Sequence, residues 1–315
     1  MIPIIHEAEL RRAVTPERAV AVIREAFRAD GEGRTRVPPV INLDVPNGEF
    51  HIKTAHISGI RHIAVKVASG FYDNPLKGLP SSSGLMALFD AETGLPAALL
   101  LDNGFLTDIR TGAAGAVTAD YLARKTVDSV GVIGSGLQAR HQIQCLRTVR
   151  SFSRILAWSP SRAHLEIYAD EMRTEGFDVT VAGSVEEVCA AADVLVTATP
   201  SRQPLVRAEW LRGGTHVIAV GSDSPGKQEL NSYCLIRADL VIVDRRSQCA
   251  SFGELKHAID AGMKAQPIEL GEIVAGKKPG RTSDVQITIA DLMGVGFQDT
   301  AIASAAYDWL EARAV

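Results

Sequence analysis

The stretch VGVIGSGLQARH, residues 130–141, most restricts what this chain can fold into. A short apolar run meets Gly134-Ser135-Gly136-Leu137-Gln138-Ala139, and a helical pattern begins at once. Gly134 suits a tight turn, and Gly136 lets a backbone approach a pyrophosphate. Ala139 is small enough for a helix to press on a sheet. Alone the motif is weak, but its context is a strand that opens into a helix within repeated βα units, as the dinucleotide fingerprint requires. The strand patterns are SVGVIG, RILAW, DVTVAG, DVLVTATP, HVIAVGS and ADLVIVD. Helical patterns GLQARHQIQCLRTV, RAHLEIYADEMRTEG and SVEEVCAAA alternate with the first four. Strands apolar on both faces, set between helices, predict an α/β fold with a Rossmann-type doubly wound parallel sheet over 119–296.

The chain before it has another rhythm. Thr15 and Pro16 open a helix over 15–29, and short strands are expected at 51–58, 62–69, 84–90 and 96–102, punctuated by Gly, Pro, Asn and Ser. This predicts an α+β substrate-binding and dimerisation domain over 1–118, joined by a returning C-terminal helix within 297–315. The net charge is −4 with no Lys/Arg run, which argues against a nucleic-acid surface. The four cysteines are widely spaced and form no metal or redox motif, so no metal is expected. The N-terminus does not read as a signal peptide, and no run approaches a membrane span; a cytoplasmic protein is expected.

Several polar residues stand out against this background. The tip of the second parallel strand offers Ser159, Ser161 and Arg162 and no acid. Hydroxyls and an arginine would tolerate a 2′-phosphate, so the tip leans to NADP over NAD, unless Arg162 is only an exposed first turn. In HIAVKVAS, alternation sets Lys66 between Ala64 and Ala68, and HIKTA sets His51, Lys53 and Ala55 on one face. Lys66 then faces either a substrate or, as an edge lysine, solvent. Arg110 stands before a helix of small residues that Thr111 could cap, ready to grip a carboxylate or to pair with Asp108 on the surface. Asp223 follows the strand ending Val220-Gly221-Ser222, where small residues leave room for a cofactor ring and substrate. An acid there serves a substrate nitrogen or stabilises its own loop.

The segments VKVASGFYDNPLKGLPSSSGLMALFD, LLDNGFLTDIRTGAAGAVTADYLA, GVIGSGLQARHQ and GSDSPGKQEL resemble the ornithine cyclodeaminase/mu-crystallin family, in order, from about Arg36 to Asp299. The wording is closest to members linked to iminosuccinate reduction and ectoine use. The resemblance implies a homodimer and a cofactor, NAD or NADP, lined by Ser81, Thr111, Leu137, Gln138, Ser159, Thr199 and Val220. It implies that Lys66 and Arg110, with Arg36, hold the α-carboxylate of a small imino or amino acid, while Asp223 acts on its nitrogen. One position departs. Where the ornithine enzymes carry a glutamate for the distal amine, this chain has Lys53, which would attract a distal carboxylate instead, with His51 or Arg36 as alternatives. The expected reaction is reduction of a 2-imino acid, iminosuccinate first. An ornithine cyclodeaminase-type lyase, an alanine dehydrogenase or pyrroline-2-carboxylate reductase, and a non-enzymatic nucleotide-binding protein are the alternatives.

Overall fold

The computed structural model describes residues 2–314 apart from Tyr72 and Ala265. The chain forms two compact units, Met1–Arg110 with Val295–Val315, and Thr111–Gly294. The division falls inside one helix, Phe105–Leu122.

In the first unit, strands β1 (Ile4–His6), β2 (Thr35–Arg36), β3 (Ile41–Val45), β4 (Gly48–Ile57), β5 (His62–Gly70), β6 (Ser82–Asp90) and β7 (Pro96–Leu101) form a mixed sheet. Its order is β1-β7-β6-β5-β4-β2, with β3 also on β4. All pairs are antiparallel except β1 on β7. The register sets Lys53 opposite Lys66, with Ala55 opposite Ala64 and His51 opposite Ala68. The face carrying Lys53, Ala55, Ala64, Lys66, Met86 and Leu88 is buried. It is covered by the C-terminal helix Gly296–Ala314, against which the helix Pro16–Gly31 packs, Phe27 edge-on to Phe297. Thr300 fastens the C-terminal helix to both central strands. Its Oγ1 donates to the Ala55 carbonyl at 2.9 Å and accepts from the Ala64 N–H at 3.2 Å.

The opposite face carries Ile52, Val65, Val67, Ala87 and Leu99, all half-buried, and continues into exposed Ile41 and Leu43 on β3. Arg36 lies opposite His56, so strand parity turns it to this side of the sheet, away from Lys53 and Lys66. The expected grouping of Arg36 with the two lysines is therefore corrected.

The second unit is a parallel sheet of eight strands: β8 (Ser129–Ile133), β9 (Arg154–Trp158), β10 (Asp178–Val181), β11 (Val194–Thr197), β12 (His216–Ala219), β13 (Leu240–Val243), β14 (Ile268–Glu269) and β15 (Thr288–Asp291). Its order is β10-β9-β8-β11-β12-β15-β13-β14. Every residue of β8, β11, β12 and β15 is buried, the consequence of helices on both faces. The chain builds outward from β8 to β10, then restarts on the other side at β11. Ligands of such sheets sit at that switch, beyond the carboxyl ends of the strands. The sequence reading found six of these strands and passed over β14 and β15.

Gly296 opens the C-terminal helix where a Cβ would collide with the Thr54 carbonyl oxygen of β4. Gly296→Ala is expected to destabilise the protein by about 1–3 kcal/mol, the usual cost of overpacking, read as a lower midpoint in urea unfolding.

Candidate functional site

The first unit gathers charge on the buried face of its sheet. Lys66 is 2% exposed, Arg110 4% and Lys53 9%, while Asp299, in the first turns of the C-terminal helix, is fully buried. Arg110 Nε donates to Asp299 Oδ1 at 2.9 Å, and Lys66 Nζ lies 3.2 Å from Asp299 Oδ2. Arg110 Nη1 donates to Gln298 Oε1 at 3.3 Å. The structure thus decides two alternatives left by the sequence. Lys66 is no solvated edge lysine, and Arg110 is no surface partner of Asp108. The helix around Arg110 also begins earlier than expected. It starts at Phe105, where Asp102 Oδ2 accepts the Leu106 N–H at 2.9 Å, so Thr111 lies inside the helix and does not cap it. His51 shares the face of Lys53 but is occupied. Its Nδ1 lies 2.7 Å from Asn42 Oδ1, and its Nε2 lies 3.6 Å from Glu49. Ser81 stands in the turn before β6, its carbonyl accepting from Phe71 at 2.7 Å.

Three buried cations around one carboxylate make a strong field. Burial lowers the Lys66 pKa to about 7, aided by Arg110 and Lys53 and opposed by Asp299. Burial raises the Asp299 carboxyl, but Arg110, Lys66 and Lys53 together outweigh it and hold the group below the usual range. Burial pushes Asp102, which also feels Lys66, up to about 6.

In the second unit the glycine loop joins β8 to the helix Leu137–Leu146. Gly134 has φ +116°, and a Cβ there would sit 2.5 Å from the Ala198 carbonyl oxygen; only glycine fits. Gly136 differs. It is the N-cap, no side chain caps the helix, and a Cβ would meet nothing within 4 Å. Internal packing therefore does not demand a glycine at 136, whereas close approach of an outside group would. Uncapped N–H groups at this terminus suit a pyrophosphate, so the loop fits a dinucleotide. Ala139 is fully buried and Leu137 largely exposed. Gln138 follows in the same first turn. Ser135 Oγ donates to Ser159 Oγ at 3.0 Å, joining the loop to the tip of β9. Arg162, expected to receive a 2′-phosphate, is exposed and ion-paired with Glu166 one turn on; the lean to NADP finds no support here. The Thr111 carbonyl accepts from Gln142 at 3.0 Å.

Asp223 is half-exposed in the loop after β12, and its Oδ1 accepts from Lys227 Nζ at 2.8 Å and from Ser224 Oγ at 3.3 Å. Ser222 Oγ donates to the Lys227 carbonyl at 2.7 Å, closing the loop. Beneath lies Glu229, fully buried and missed by sequence reasoning. Its carboxylate accepts from Thr199 N at 2.6 Å, Thr199 Oγ1 at 2.8 Å, Thr197 Oγ1 at 2.8 Å and Gly221 N at 2.8 Å. It therefore ties the end of β11 to the turn after β12, where Val220, Gly221 and Ser222 lead to Asp223. Glu254 in turn accepts from the Glu229 N–H at 2.7 Å. An acid in GKQEL, seven residues past the Gly221-Ser222 turn, carries no special signal, because its partners come from strand ends far apart in sequence.

The model of the ornithine cyclodeaminase/mu-crystallin family matches residues 2–314. The chain belongs to this family. It is 42% identical over 318 residues to an uncharacterized cyclodeaminase of Sinorhizobium fredii, covering 98% of this chain and 96% of the relative. It is 37% identical over 308 residues to the alanine dehydrogenase of Archaeoglobus fulgidus, covering 97% and 94%. Among solved structures it matches an archaeal alanine dehydrogenase dimer with bound NAD at TM-score 0.92 and 35% identity, covering 100% and 97%. It also matches the iminosuccinate reductase of Paracoccus denitrificans in complex with NAD+ at TM-score 0.91 and 32% identity, covering 100% and 98%. The family reading of the sequence holds, but the cyclodeaminase is more similar to this chain than the iminosuccinate reductase is.

Burial raises the Glu229 pKa to about 7, above the ordinary glutamate value of 4.5. Between those values the folded state holds the proton that the unfolded state has lost, so this group's contribution to stability falls as pH rises. Glu229→Gln should flatten that slope. It also turns an amide NH2 toward the N–H of Thr199 or Gly221, costing about 1–3 kcal/mol in denaturant titrations near neutral pH.

Proposed function

We propose that this protein is an NAD(H)-dependent reductase of a small 2-imino acid, with iminosuccinate, reduced to L-aspartate, as the best candidate. The observation that carries the reading is the buried cluster of Lys53, Lys66 and Arg110 beside the carboxyl groups of Asp299 and Asp102. The three cations outnumber these two acids, and burying an excess of positive charge is costly unless a ligand neutralises it, as an anionic substrate would.

In this reading Arg110 and Lys66 hold the α-carboxylate and fix the imine carbon. Lys53, across the strand pair from Lys66, holds the second carboxylate. Asp223, steadied by Lys227, keeps the imine nitrogen protonated, which makes the adjacent carbon more electrophilic, and then accepts a hydrogen bond from the new amine. The nicotinamide, when bound, supplies the hydride. The glycine loop, Ser159, Thr199 and the Val220–Ser222 turn hold the dinucleotide. Arg162 pairs with Glu166 on the surface, and the NAD in the structures of the alanine dehydrogenase and the iminosuccinate reductase favours NAD over NADP.

The 42% identity to a cyclodeaminase supports a second reading, a lyase that oxidises and re-reduces its substrate on retained NAD. Lys53 opposes it, because a buried cation repels the distal ammonium of a diamino acid. A spectrophotometric assay separates the readings. With ammonia and oxaloacetate the reductase consumes NADH, and Lys53→Ala lowers kcat/KM for oxaloacetate by about tenfold or more while affecting pyruvate far less. Ammonia release from ornithine with no net absorbance change would establish the lyase instead.

The uncovered apolar face of the first unit's sheet, from Val65 and Val67 to Ile41 and Leu43, suits a second copy of the chain, in keeping with the dimeric alanine dehydrogenase structure. Leu43→Glu should convert a dimer to a monomer in sedimentation equilibrium; wild-type protein sedimenting as a monomer would remove this part of the proposal.

A further inference from the structure

We propose that Asp299 is a positioning residue of the carboxylate site, fixing both the spacing and the charge of Lys66 and Arg110 before substrate arrives. The substrate named in the kinetic test below rests on the imino-acid reading; the geometric argument does not.

Lys66 comes from β5 and Arg110 from the helix Phe105–Leu122, and their like charges repel. Asp299, on a third element, binds one through each oxygen, at 3.2 Å and 2.9 Å. The carboxylate is fully buried, so solvent does little to screen these contacts. The adjacent Gln298, equally buried, takes Arg110 Nη1 through Oε1. The guanidinium is thus gripped through Nε and Nη1, which sets the plane in which its remaining nitrogen, Nη2, points. Gln298 Nε2 has no hydrogen-bond partner among the described residues. A buried donor of this kind is costly unless something accepts from it, and a substrate carboxylate beside Arg110 would do so. The first turns of the C-terminal helix therefore contribute a fixed anion that aims the two cations and a neutral donor that supplements them.

The charged groups acting on Lys66 are Lys53 from β4, Arg110 from the helix, Asp299 from the C-terminal helix and Asp102 after β7. Met86, its partner on β6, is apolar. Asp299 is the carboxylate in direct contact. Removing its charge leaves Lys66 facing two cations across a buried space, which drives it toward the neutral amine. A neutral Lys66 no longer attracts a carboxylate.

The test uses the full-length protein labelled with 13C at the lysine ε-carbon. Wild type should show one lysine titrating near neutral pH, assigned by its absence in Lys66→Arg. Asp299→Asn should lower that midpoint by about one unit or more, as expected for loss of an opposite charge in direct contact. Asp299→Glu, which keeps the charge, should restore much of it. In Asp299→Asn, the pH at which KM for oxaloacetate starts to climb should move down by the same amount, with a smaller change in kcat. A purely structural role for Asp299 would lower thermal stability without moving the midpoint, and that result would overturn the proposal. If Asp299→Asn does not fold, the 13Cγ titration of Asp299 in wild type decides. The carboxyl must ionise below the ordinary aspartate range, and a value above it refutes the assignment. The titrations need no turnover, so a protein inactive on imino acids would sink the functional reading alone.

Discussion

The ion triad of Asp299, Lys66 and Arg110 fixes the first unit, because it joins a strand, the helix that begins after β7 and the C-terminal helix at one buried point. Everything around it makes that point possible. Gly296 lets the C-terminal helix begin against β4, and Thr300 bonds both central strands one turn later. Asp102 starts the neighbouring helix at the turn that brings Arg110 inward. Buried ion pairs are poor stabilisers by themselves, since desolvation cancels much of their attraction. Keeping this one, with Lys53 beside it, is easier to understand as provision for a bound anion than as a contribution to folding.

The second unit solves a different problem with the same chemistry. Parallel strands end in loops that must hold a ligand, yet those loops consist of small residues with little to pack. Glu229 supplies the missing constraint, accepting from two threonines and a glycine N–H at the ends of adjacent strands. Glu254 binds the backbone of Glu229 and Leu230, and Asp291 binds the N–H of Leu255. Burial raises all three carboxyl groups, Asp291 to about 8. Acids set on backbone donors take the place of a hydrophobic core where a core would block the ligand.

Family membership narrows the chemistry without choosing the substrate. The relatives include a cyclodeaminase, an alanine dehydrogenase and an iminosuccinate reductase on one fold. One fold hosts several chemistries, and the residues of the site decide among them. Lys53 sits opposite Lys66 in the register, and in the proposed reading its charge would select against a second ammonium.

The sequence by itself determined the parallel sheet, the glycine loop, the opposed faces of β4 and β5, and Lys53, Lys66, Arg110 and Asp223 as residues to watch. Local signals carry all of these: strand alternation, glycines that a turn requires, and motifs read in order. Tertiary structure alone decided that Lys66 and Arg110 are buried and not on the surface. Lys66 and Arg110 are buried because Asp299, some two hundred residues away along the chain, neutralises part of their charge. Arg36 faces the other side of the sheet because its pairing with β4 sets its parity. Asp299, Gln298 and Glu229 carried no local signal, since an acid or amide in a helix or loop is ordinary until distant strand ends and cations converge on it. Local preference is written in neighbouring residues, whereas compensation of buried charge depends on partners that only the folded chain brings together.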